Sequence, residues 1–242
     1  MRRRKSVVAM AALTFGLVAW GMPAGHAEVV ETPAGMVSSA QVSIAVDNDW
    51  QFFDGDCLLI PVFATYGRAD DTSIVGEFTV SKPSDPAVAN EGTFLVLPGD
   101  PVSGQVLDEI FVCPADGTGE YRLSTLIRAV EPRAEQVFEL APLTFWVRPA
   151  TSSMTALEAT SIKGGTRISG TIRAGDGLAT GIVEIRVQRP GTSRWVLTSR
   201  LPVEEGAFAG VIDTFIPTGG KIKATLTQCS WCSRASKTIR VR

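Results

Sequence analysis

Arg167-Ile168-Ser169-Gly170-Thr171-Ile172-Arg173 alternates apolar or small residues with polar ones at every step, and Val183-Glu184-Ile185-Arg186-Val187 repeats the pattern a little further on. A period of two places Ile168, Gly170 and Ile172 on one face of a strand and the polar residues on the other. Glu184 and Arg186 stand outward by the same rule. Sheets with one dry and one wet face are the antiparallel kind. Toward the C-terminus the pattern continues in Trp195–Leu201, Phe208–Phe215, Lys221–Thr227 and Thr238–Val241. Toward the N-terminus, strands are expected at Val42–Val46, Leu58–Tyr66, Ile74–Val80, Thr93–Leu97, Glu109–Val112, Tyr121–Val130 and Leu143–Val147. Gly, Pro, Asp and Ser punctuate these runs, and no long segment carries clean helical spacing. Evenly spaced short strands of this kind predict an all-β protein built of β-sandwiches.

The pattern pauses at Arg148-Pro149-Ala150-Thr151-Ser152-Ser153, which reads as a linker. It divides a first domain, 28–150, from a second, 151–242. At roughly 120 and 90 residues, each is long enough to bury a core of its own. Glu28–Ala40, rich in small and polar residues, is expected to be a loose lead-in. The division also separates charge. The first domain has 19 acidic and 6 basic residues, net −13, and the second has 6 acidic and 13 basic, net +7. Such asymmetry either holds the domains to each other or offers the basic one to an anionic partner.

Met1–Ala27 reads as a cleaved secretory signal peptide. It has a basic start at Arg2-Arg3-Arg4-Lys5, an apolar run Ser6–Trp20 too short for a comfortable membrane span, and small residues before a cut after Ala27. An uncleaved N-terminal anchor is the competing reading. No second apolar stretch approaches eighteen residues, so no further membrane span is expected. The only histidine, His26, lies in this leader. The remaining chain therefore has no Ser-His-Asp or Cys-His catalysis and no histidine metal ligand. It contains no Ser-x-x-Lys either.

Export implies an oxidising compartment, so the four cysteines are expected to form two disulfides, Cys57 with Cys113 and Cys229 with Cys232. The first closes a loop of about 57 residues, worth about 4 kcal/mol in chain entropy. Cys229-Ser230-Trp231-Cys232 has redox spacing, but reactive pairs sit where a strand runs into a helix, and here both flanks read as strands. It is expected to pin the turn of a hairpin, with Trp231 either packed or held out as a contact residue. Asp47, Asp49, Asp54 and Asp56 fall within ten residues and could supply oxygens to Ca2+, although the spacing is not that of an EF-hand loop. Otherwise they are solvated turn residues, with Asp70 and Asp71 in a further turn.

Asp116-Gly117-Thr118-Gly119-Glu120-Tyr121 places an Asp and a Gly just before a Tyr entering a strand. This resembles the tyrosine corner of immunoglobulin-like domains, which implies a phenol hydrogen-bonded back to the backbone. The cysteine here precedes the Tyr, so the resemblance does not imply the usual inter-sheet bridge. In the second domain, Arg167-Ile-Ser-Gly-Thr-Ile, Gly181-Ile-Val-Glu-Ile-Arg-Val-Gln, Arg194-Trp195-Val and Gly206-Ala-Phe208 together resemble the immunoglobulin-like modules of exported actinobacterial proteins. That resemblance, mainly over 166–242, implies a bacterial adhesion or spacer module rather than an enzyme.

The sequence thus suggests a secreted, non-catalytic binding or structural protein without a cofactor, acting at the cell envelope or on an extracellular partner. The candidate surface is basic: Arg186, Arg189, Arg194, Arg200, Lys221 and Lys223, with Trp231. Its partner is expected to be an anionic envelope polymer or an extracellular protein. Nucleic acid is not expected, because the basic residues lack interleaved aromatics. The alternatives are a calcium-dependent adhesin using the four Asp residues and a small exported thiol oxidoreductase using the C-x-x-C.

Overall fold

The computed structural model describes residues 28–241; the leader read at Met1–Ala27 lies outside the described residues. Among the described residues every regular element is a strand. The first eleven are β1 (Val29–Glu31), β2 (Gly35–Met36), β3 (Ala40–Asp47), β4 (Asp49–Gln51), β5 (Leu58–Arg68), β6 (Ser73–Lys82), β7 (Asp85–Val96), β8 (Ser103–Val112), β9 (Gly119–Glu131), β10 (Ala134–Glu139) and β11 (Leu143–Arg148). One sheet runs β1-β3-β5-β8, with β2 also on β3. The other runs β4-β11-β9-β6-β7, with β10 also on β9. The remaining eight are β12 (Ser152–Ile162), β13 (Gly165–Ala174), β14 (Gly177–Leu178), β15 (Gly181–Gln188), β16 (Val196–Val203), β17 (Ala207–Ile212), β18 (Lys221–Leu226) and β19 (Ser236–Arg240). They form a sheet in which β13 joins β12, β14 and β17, and a second in the order β16-β15-β18-β19.

Both pairs of sheets share one connectivity. Of seven principal strands, the first, second and fifth form one sheet, and the third, fourth, sixth and seventh form the other. This is the immunoglobulin-like Greek key. The alternation read in the sequence is what fills each core. Ile44, Val62 and Ile110 of one sheet, with Phe78, Leu123, Ile127 and Phe145 of the other, are all buried in the first sandwich. In the second, Ile168 and Ile172 with Val183, Ile185, Ile222 and Ala224 are buried likewise. Phe208 lies opposite Gly170, where an added Cβ would stand 2.4 Å from its ring. The glycine leaves room for the aromatic, which explains the Gly-rich strand followed by Gly-x-Phe.

Tyr121 is fully buried at the start of β9, stacked 5.6 Å from Phe145. Its hydroxyl donates to the carbonyls of Gly117 (2.6 Å) and Asp116 (3.1 Å). The corner implied by the sequence is present. Cys57 and Cys113 are bonded at the adjoining ends of β5 and β8, neighbours within one sheet, and so do not bridge the two sheets. Arg68, buried at the end of β5, donates to the carbonyls of Ala69, Asp70, Thr72 and Asp100. A buried guanidinium needs such partners, and here it ties together the turns on either side of β6–β7.

One expectation is corrected. Glu28–Ala40 is not a loose lead-in: β1 and β2 pair with β3, and between them Thr32 is buried, its hydroxyl accepting from Ile44 N at 3.0 Å. Arg148–Ser153, the expected linker, does run between β11 and β12, but it is tied down rather than loose. Ala150 is buried, donates its N–H to Trp231 O (2.9 Å) and accepts from Ser233 N (2.8 Å). Ser152 N donates to Ser233 Oγ (2.9 Å), and Gly175 N to Thr151 O (2.9 Å). Beside them, Asp176 N donates to Phe53 O (2.8 Å), joining a loop of the first sandwich to a turn of the second. The connection is stitched down on both sides by backbone hydrogen bonds.

Candidate binding surface

Antiparallel register fixes which residues share the outer face of β16-β15-β18-β19. Glu184 faces Arg200 on one side and Thr225 on the other. Arg186 faces Lys223, which faces Thr238, and Gln188 faces Lys221, which faces Arg240. Four of the expected basic residues, Arg186, Arg200, Lys221 and Lys223, therefore come together on one face of the sheet. Arg240 belongs to it as well and was missed. Its signal was legible, since Thr238 and Arg240 alternate with the half-buried Ile239. Arg189 and Arg194 are exposed in the β15–β16 connection, off the end of this grid.

The face holds five cations and one carboxylate. Glu184 accepts from Arg186 Nη2 at 3.1 Å and from Arg200 Nη2 at 3.2 Å. The hydrogen bond from Arg186, reinforced by Arg200, holds its carboxyl below the usual carboxylate range. Among the described residues Lys221, Lys223 and Arg240 have no carboxylate partner. Elsewhere, Arg128 pairs with Glu77 (3.3 Å) and Glu135 (3.4 Å), and Arg148 with Asp49 (2.6 Å). All these ion pairs stay within one sandwich. The opposite charges of the two halves do not meet in them.

Trp231 does not belong to any exposed surface. It is 3% exposed, donating Nε1 toward Thr180 Oγ1 at 3.4 Å. Its ring lies over Gly55 of the first sandwich and Gly177 of the second, where added Cβ atoms would sit 3.7 and 3.5 Å away. The reading of Trp231 as a contact residue is thus corrected: the turn between β18 and β19 is not a free tip but part of the junction. The Cys229–Cys232 disulfide closes that turn, and Cys232 is buried. No helix N-terminus is present to lower a thiol pKa there, since the flanking elements are strands.

The four expected calcium ligands are spread apart in role. Asp47 ends β3, and burial raises its carboxyl above the ordinary value. Asp49 is engaged by Arg148 Nε, and Asp54 Oδ1 accepts from Asp56 N at 3.0 Å in a local turn. Among the described residues no group of three His, Cys, Asp or Glu is placed to hold a metal ion. No helix among them is long and apolar enough to cross a membrane.

No family model matches the sequence, and no curated protein does. Solved structures superpose loosely. The tetra-tandem repeat in the extending region of a large adhesion protein is similar over 83% of this chain and 55% of its own, at 13% identity and a TM-score of 0.39. Red sea bream transglutaminase is similar over 86% and 32%, at 9% identity and 0.36. A DUF4785 family protein from Legionella pneumophila is similar over 84% and 57%, at 12% identity and 0.33. The chain spans about half the length of the adhesion-protein repeat structure. Superpositions this loose carry no argument, and the all-β fold rests on the strand order itself.

Proposed function

We propose that the chain is a non-catalytic binding or structural module of an exported protein, docking on an anionic envelope polymer through the outer face of β16-β15-β18-β19. The observation that carries this reading is the composition of that face: Arg186, Arg200, Lys221, Lys223 and Arg240 around the single carboxylate of Glu184. Same-face residues along a strand lie about 6.6 Å apart, and neighbouring strands about 4.8 Å apart. Cations on such a grid suit a polymer with regularly repeated anions better than one discrete ligand. Disulfides at Cys57–Cys113 and Cys229–Cys232 fit an oxidising compartment outside the cytosol. The test is co-sedimentation of the secreted form with envelopes of its source at about 20 mM and about 500 mM salt, where the Debye length falls from roughly 20 to roughly 4 Å. Pelleting at low salt that is lost at high salt is the expected result. Absence of pelleting, or pelleting indifferent to salt, would overturn the reading.

A further inference from the structure

Trp146 is half in water on the outer face of β11, 50% exposed. Register places Glu120 of β9 on one side of it and Asp49 of β4 on the other. Two residues along the same face, Arg148 donates Nε to Asp49 Oδ1 at 2.6 Å. Thr144 precedes it, facing Arg122 across the sheet. Beside the indole is an open depression of about 470 Å³ lined by Thr118, Gly119, Trp146, Val147, Arg148 and Pro149.

We infer that this depression is a neutral-saccharide site with Trp146 as its stacking platform. Three features select the ligand class. First, the indole is a lone apolar plate whose outward neighbours on the sheet are all polar: Asp49, Glu120, Arg122, Thr144 and Arg148. A protein-docking patch would be contiguous and apolar at its centre. A pyranose ring has the matching anatomy, one face of C–H groups and a rim of hydroxyls, and sites for such ligands pair an aromatic surface with a few placed polar groups. Second, the rim offers both kinds of partner, carboxylate acceptors at Asp49 and Glu120 and donors at Arg148 and Thr118. Third, the charges around the ring cancel, Asp49 and Glu120 against Arg148 and Arg122, so the setting offers no net cation to hold the phosphates of a nucleotide. The site lies on the first sandwich and does not rest on the basic face of the second.

The test is titration of the secreted form with chitotetraose, cellotetraose, xylotetraose, maltotetraose and mannotetraose, each to about 10 mM, followed by tryptophan emission and calorimetry, with AMP as a planar charged control. At least one saccharide is expected to bind saturably and shift the emission. The W146A variant should lose about tenfold or more in affinity. The near-isosteric E120Q, whose exposed side chain carries no fold contact, should weaken binding several-fold with an unchanged melting temperature. The inference is overturned if no saccharide binds, if AMP alone binds, or if W146A and E120Q both bind as the wild type does.

Discussion

Reversing two charges on the basic face, K221E with K223E, is the sharpest probe of docking. The face carries five cations and Glu184, net +4, and the double variant brings it to zero. Each half-buried lysine gives an anion at contact distance about 1 kcal/mol in water-like dielectric, and a glutamate in its place repels by as much. Two reversals therefore cost up to about 4 kcal/mol at low salt, roughly a thousandfold in affinity. At about 500 mM salt the same substitution should matter less than tenfold, because screening has already removed most of the attraction. Folding should survive, since Glu at 223 would face Arg186 and Glu at 221 would face Arg240, creating opposite-charge cross-strand pairs. The assay is quantitative co-sedimentation at both salts with a melting curve for each variant. K163E with R167E makes the same change in net charge at exposed positions of the β12–β13 turn and β13, away from this face, and should bind within about threefold of wild type. If K221E/K223E pellets like wild type at low salt, or if the two double variants lose binding equally, then the face does not dock and only net charge counts.

Other outcomes test the scaffold. The Y121F variant removes the hydroxyl that donates to Gly117 and Asp116 while keeping the ring on Phe145, and should cost about 1–3 kcal/mol in urea unfolding. Burial, with the charge of Asp116 second, raises the Tyr121 pKa far above its ordinary value, so above about pH 10 the unfolded chain releases a proton that the folded one keeps. The wild type should therefore lose its advantage over Y121F as pH rises past about 10; a stability gap constant from neutral pH upward would contradict this. The W231A variant empties the space between Gly55 and Gly177 and should destabilise by about 3–5 kcal/mol, with faster proteolysis around Pro149–Ser152; a loss below about 1 kcal/mol would mean the junction does not depend on the ring. Because Asp49 is held by Arg148 and Asp54 by its own turn, Ca2+ or chelator should leave the melting temperature unchanged, and a rise of several degrees with Ca2+ would instead support the calcium reading.

What the sequence disclosed was whatever period two writes along one strand. Arg167–Arg173 and Val183–Val187 alternate cleanly, and their strands stand where that alternation puts them. The strand β12 was overlooked because a bulge between Met154 and Ala156 shifts the register, so Met154, Leu157 and Ala159 no longer fall on one parity. Edge segments were overlooked for another reason. The strands β1, β2 and β10 pair on one side only, and with little burial to satisfy, Val29–Glu31 and Ala134–Glu139 carry no apolar code. The basic face was partly legible because Arg186, Lys221 and Lys223 could be assigned a side strand by strand. Which strands neighbour which could not be read, and Arg240 joins the face only through the pairing of β18 with β19. Trp146 gave no signal at all: it is one aromatic in an apolar run, and only register shows that it faces out between Asp49 and Glu120.

The charge asymmetry takes on its meaning from the junction. Oppositely charged halves of one chain invite the idea that they attract each other. Yet what joins them is a set of backbone hydrogen bonds at Ala150 and Phe53 and the buried ring of Trp231, none of which depends on charge. The ion pairs of Arg128, Arg148 and Glu184 neutralise their own sheets locally. A self-contained junction leaves the excess charge of each half unspent. Long-range fields of this kind steer encounter and raise the on-rate toward an oppositely charged surface. On the two proposals made above, the same division would separate labour along the chain. A cationic grid on the second sandwich is suited to non-specific adherence, where many weak contacts add. A lone indole ringed by polar side chains on the first is suited to selecting one ligand shape. Because the junction is pinned rather than flexible, adherence by one face would fix how the other is presented, and W231A should therefore disturb joint binding more than it disturbs either site alone.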